Sequence, residues 1–102
     1  MHLIQILLPL YDNEGHAIPR KHFERTAAEL SQRFGGLTAY TRAPAKGVWK
    51  KRGERTSRDD IIIYEVMCSR LQRRWWKAKR SELERIFRQE QILIRSHAIT
   101  QL

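Results

Sequence analysis

Apolar residues run almost unbroken from Leu3 to Leu10, too short a stretch for a typical helix and one that holds Pro9. Buried strands have this pattern. Tyr11 to Ala17 carries Asn13 and Gly15 among polar neighbours and reads as a loop. Pro19 suits the first turn of a helix, where its missing N–H costs nothing. Phe23, Ala27, Leu30 and Phe34 then recur at four, three and four residue steps, which stacks them on one helical face. Gly35 and Gly36 close this helix, since glycine enters a left-handed cap without strain.

Leu37 to Ala43 follows as a strand, and Ile61 to Met67, apolar and β-branched, is a second one. Between them Pro44 to Asp59 is a long basic connection, so the two strands form a hairpin with an extended tip. Ser69 with Gln72 three residues on has the form of a capping box. A helix from there to about Glu90 gathers Gln72, Trp76, Lys79, Leu83, Ile86, Phe87 and Glu90 on one face, with Trp75 at its margin. Lys79 and Glu90 interrupt that stripe; Lys79 is expected to pack its stem and lift its ammonium to water. A carboxylate buried at Glu90 would need a backbone amide or an arginine. Ile92 to Ile99 reads as the last strand.

The order β-α-β-β-α-β predicts one α+β domain over residues 1–102, of the ferredoxin-like or split βαβ type. It has a four-stranded antiparallel sheet with two helices on one face. Strand parity then sorts the second face. With Ile4, Ile6 and Leu8 turned to the helices, the open side receives Leu3, Gln5 and Leu7, then Thr38, Tyr40 and Arg42. The third strand adds Ile61, Ile63, Glu65 and Met67, and the fourth Leu93, Arg95 and His97. This mixes an apolar surface with a polar group of Gln5 and the five residues Tyr40, Arg42, Glu65, Arg95 and His97. Such a surface on a small protein marks an interface or a ligand site. The leading expectation is a homodimer through this face, in a ligand-binding or interaction role. An alternative is a small enzyme or small-molecule-binding protein with those five polar residues in a pocket, His97 lying near Glu65 for proton transfer. Whether the chain is an enzyme stays open.

Composition changes this picture in one respect. The formal charge is +9, with 20 Lys and Arg against 11 Asp and Glu, which attracts polyanions. One basic stretch surrounds Trp49 with Lys50, Lys51 and Arg52, and another surrounds Trp75 and Trp76. A third reading is therefore a nucleic-acid accessory protein that uses these cations and rings as an interaction loop. The third strand, Ile61 to Met67, lacks the aromatic pattern of RNA-recognition motifs, so the sheet itself is not the nucleic-acid platform of that class.

The remaining chemistry is sparse. His2, His16, His22 and His97 show no metal-ligand spacing, and Cys68 is the lone cysteine. Asp12, Asn13, Glu14 and Gly15 lack the ligand alternation of a calcium loop. No nucleophile or phosphate-loop motif occurs, and no cofactor or metal is expected. The amino-terminal apolar run has no basic leader segment and nothing reaches the length of a membrane span, so a cytoplasmic, membrane-free protein is expected.

Three clusters, Arg33-Phe34-Gly35-Gly36-Leu37-Thr38, Gly47-Val48-Trp49 and Phe87-Arg88-Gln89-Glu90-Gln91-Ile92-Leu93, resemble small bacterial proteins grouped as domains of unknown function with a ferredoxin-like α+β fold. The resemblance implies that fold and no activity, and it directs attention to Thr38, Trp49 and Glu90.

Overall fold

The structure, a computed structural model, describes residues 1–42 and 61–102, the side chains of residues 40–42 excepted. Its elements are β1 (His2–Pro9), α1 (Arg20–Phe34), β2 (Thr38–Arg42), β3 (Ile61–Cys68), α2 (Arg73–Ile86) and β4 (Leu93–Ala98). This is an α+β arrangement with an open, four-stranded sheet in the order β2-β3-β1-β4, every pairing antiparallel.

β1 sets the frame because it pairs on both edges. Ile6 lies opposite Tyr64 on one side and Ile94 on the other, and Ile4 lies opposite Val66 and Ser96. Ile4, Ile6, Leu8, Tyr64 and Val66 are buried in one cluster with Phe23 and Leu30 of α1 and with Trp76, Leu83 and Phe87. Both helices therefore cover the same side of the sheet. The Tyr64 hydroxyl donates to the Phe23 carbonyl at 3.1 Å, tying β3 to α1. Burial, with Glu24 adding to it, pushes that hydroxyl above its ordinary pKa.

α1 forms on its apolar stripe, with Phe23, Thr26 and Leu30 buried. Thr26 satisfies its hydroxyl by donating to the His22 carbonyl at 2.7 Å. The helix stops at Gly35, whose φ of 76° is left-handed and whose N–H donates to Ser31.

α2 is shorter than its pattern predicts. It starts at Arg73 after Gln72, with no side-chain cap, so Ser69 makes no capping box. It ends at Ile86, and Arg88 adopts a φ of 53°. The chain turns there because Phe87, fully buried, already fills the core, and the Gln89 amide donates backward to the Tyr11 carbonyl at 2.7 Å. Glu90 consequently lies beyond the helix and is exposed, which removes the buried carboxylate anticipated there. The carboxylate that bonds a backbone amide there is Glu84, which accepts the Ile92 N–H at 3.0 Å.

The charge that is buried is Lys79. Its side chain is 3% exposed, so the ammonium does not reach water as expected; it pairs with Glu29 of α1 and, at 3.3 Å, with Glu82. Trp75, packed edge-on against the stacked rings of Phe34 and Trp76, has its ring centre 5.8 Å from the same ammonium. The two helices are thus joined by a cation held between half-exposed carboxylates.

Two outcomes follow. Gly35→Ala should lower unfolding stability by about 1–2 kcal/mol in urea titration, since no atom crowds the added methyl and the cost is the left-handed backbone alone. Glu29→Gln combined with Glu82→Gln should cost about 1–2 kcal/mol by stranding the Lys79 charge, while Lys79→Met should be neutral or stabilising; equal losses from both variants would contradict this account.

Candidate functional site: the open face of the sheet

Residues directly opposite in a ladder share a face. The register therefore builds three rows on the side away from the helices. Leu3 lies between Met67 and His97, Gln5 between Glu65 and Arg95, and Leu7 between Ile63 and Leu93. β2 extends two of them, with Thr38 opposite Glu65 and Tyr40 opposite Ile63; Arg42 lies opposite Ile61. The parity anticipated from the sequence is the one the strands adopt.

The middle row is a hydrogen-bonded chain. The Gln5 amide donates to Glu65 at 2.5 Å, and its carbonyl oxygen accepts from Arg95 Nε at 2.7 Å. A neutral amide with a donor and an acceptor end thus relays between an anion and a cation on opposite sides of β1. Of the expected polar residues, Glu65 and Arg95 are brought into this one network. His97 is not beside Glu65: it lies across β1, about 10 Å away in the strand-stacking direction alone and one row displaced. Its neighbours on β1 and beyond are Leu3 and Met67. Tyr40 and Arg42 are placed on the same face by backbone register.

The flanking rows are apolar except for His97. Met67 is 45% and Leu93 49% exposed, and apart from the chain termini they are the large hydrophobic residues that stand out into solvent among the described residues. Leu3 and Leu7 are half-buried, while Ile63 is fully covered without belonging to the core cluster.

Two concave regions adjoin this face. A cleft of about 410 Å³ beside the start of β2 is lined by Leu3, Thr38, Glu65 and Met67 of this face together with Phe34 and Gly36. A smaller one, about 210 Å³, lies between β4 and the first turns of α2, with Trp76, Arg73 and Lys77 on its walls. Arg33 stacks over Trp75 at 4.1 Å and donates to Gln72 at 2.9 Å, so part of the second basic-aromatic stretch is committed to packing. Trp49, Lys50, Lys51 and Arg52 lie outside the described residues, as does the basic tip between β2 and β3.

The acidic loop after β1 organises itself. Asp12 accepts the N–H groups of Glu14 and His16 at 2.8 and 2.9 Å, and Arg88 donates to Glu14 at 3.1 Å. The His16 amide bond leads in holding the Asp12 carboxyl below its ordinary pKa. Among the described residues no group of three or more His, Cys, Asp or Glu converges as a metal site, and no helix is long and apolar enough to cross a membrane. Burial pushes the Cys68 thiol up, and α2 begins five residues later, so no helix end activates it.

No protein-family model, curated protein or solved structure matches the chain. The resemblance to small bacterial proteins of unknown function is thus left with its coarse content, a small α+β fold.

The sequence places Gln5 in the polar group of this face but leaves it out of the candidate site residues, and so misses it as the centre of the network. The signal was present: an isolated amide in the middle of an otherwise apolar strand needs partners. Gln5→Ala and Arg95→Ala should show a coupling of about 1 kcal/mol in a double-mutant stability cycle. Strictly additive effects would mean that the 2.7 Å contact contributes nothing.

Proposed function

We propose that this chain is a ferredoxin-like interaction domain that works as a homodimer through its open sheet face. For the fold, the support is that β3 separates β1 from β2 and β1 separates β3 from β4, which is the interleaving of a split βαβ. For the dimer, the carrying observation is the placement of Met67 and Leu93. Among the described residues, these two large exposed hydrophobic side chains within strands share one face and flank a polar row that can set register. A partner that buries them gains area, and the row between them gives that partner a fixed position.

The same face can bring a ligand-binding role only where a cavity adjoins it, and the cleft at Leu3, Glu65 and Met67 is where such a role would lie. The enzyme alternative has less support, because Glu65 and His97 are on opposite sides of β1. For nucleic acid, the described residues offer the cations of α2 without an aromatic platform on the sheet.

Sedimentation velocity across a concentration series tests the proposal. The wild-type chain should dimerise. Half of Leu93 is already covered, so burying the remainder gains about 1 kcal/mol per copy. Leu93→Asp should therefore weaken the dimer by roughly 30-fold or more while far-UV circular dichroism stays unchanged. A wild-type monomer at high concentration would sink the reading.

A further inference from the structure

The Gln5 row carries a direction as well as a charge. Glu65 is on the β3 side of β1, Arg95 is on the β4 side, and Gln5 is bonded to both. Two identical sheets stacked face to face are related by a two-fold axis in the plane between them. Stacked sheets that keep their strands within about 30° of each other leave two choices. The axis runs along β1, or it runs across the strands.

The apolar rows do not decide between these. With the axis along β1, Leu3 meets the partner's Leu3, Leu7 meets the partner's Leu7, Met67 meets the partner's His97, and Leu93 lies over the position of the partner's Ile63, whose own side chain is already covered. With the axis across the strands and through Gln5, the Leu3 row meets the Leu7 row, and in both arrangements apolar covers apolar except at His97. The charged row does decide. An axis along β1 exchanges the two sides of the sheet and sets Glu65 over the partner's Arg95, twice. An axis across the strands sets Glu65 over the partner's Glu65 and Arg95 over the partner's Arg95. Like charges brought together away from water are strongly unfavourable, whereas opposite charges fix the register of an interface.

We infer that two copies of this chain associate about an axis along β1, each Glu65 bonding to the partner's Arg95. This rests on the dimer reading above and adds its geometry. The contact is chemically available: Arg95 gives Gln5 its Nε, its guanidinium fork carries four further N–H donors, and a carboxylate accepts several hydrogen bonds at once. Gln5, on the axis, then meets the partner's Gln5.

Charge reversal tests the axis. Glu65→Arg and Arg95→Glu, purified separately, should each dimerise at least about tenfold more weakly than wild type, since each sets like charges together twice. An equimolar mixture should recover heterodimer within about threefold of wild-type affinity, because every crossed contact is again Arg with Glu. The mixture excludes repair within one chain, as neither chain carries both changes. Glu65→Gln and Arg95→Gln, which remove attraction without adding repulsion, serve if a reversed chain fails to fold; each should weaken the dimer, by less than the reversals. An axis across the strands predicts single reversals with wild-type affinity, since they only change which like charges meet. That result, or a mixture that stays as weak as its components, overturns the inference even where Leu93→Asp still breaks the dimer. A monomeric wild type overturns the dimer reading itself.

Discussion

The pairing of β1 with two neighbours at once is the constraint on which the rest of this molecule depends. An edge strand can slip against one partner, but β1 is fixed by β3 on one side and β4 on the other. A shift of one residue against either would turn Ile4, Ile6 and Leu8 out of the core and bring Leu3, Gln5 and Leu7 in. Burying Gln5 among Phe23, Leu30 and Leu83 would then strand an amide without partners. The register that fills the core is therefore also the register that lines Gln5 up with Glu65 and Arg95. Core and open face are set by the same pairing.

Much of this was legible in the sequence, because both kinds of evidence follow from period. Ile4, Ile6 and Leu8 alternate with Leu3, Gln5 and Leu7, and the parity of β1, β3 and β4 came out as the alternation requires. The Gly35 cap was equally plain, as few residues tolerate its backbone angle. The failures came where a tertiary contact overrode a local pattern. Ser69 and Gln72 have the spacing of a capping box, yet α2 starts after both. Glu90 continues the helical stripe in sequence, yet Phe87 reaches the core and the chain turns at Arg88. Lys79 was expected to lift its charge to water, and Glu29, on the other helix, holds it down. No window along one helix can reveal a partner on another.

The candidate site was less legible for a different reason. Parity assigns residues to a face, but it does not say which of them touch. His97 and Glu65 share a side of the sheet and are still separated by β1, while Gln5, chemically the plainest of the group, joins the two charges that matter. A list of polar residues on a face is thus weaker than a register, which converts membership into neighbourhood. Trp49 and the cations beside it lie beyond either kind of inference, since they fall outside the described residues.

Net charge bears on the proposed dimer in a way that local contacts do not. Each chain carries a formal +9, so two copies repel as they approach. At physiological ionic strength that repulsion is screened over about 8 Å, and it acts mainly on the encounter. Once the faces meet, separations fall below that length and local arrangement governs. There a row with its anion on one side and its cation on the other presents a dipole, not a net charge. A dipolar row allows two strongly basic copies to attract at contact in one orientation only, so the excess of cations elsewhere raises the need for that orientation. In the proposed dimer, the polar centre of the face is what selects the geometry of pairing, and Met67 and Leu93 supply the area that holds it.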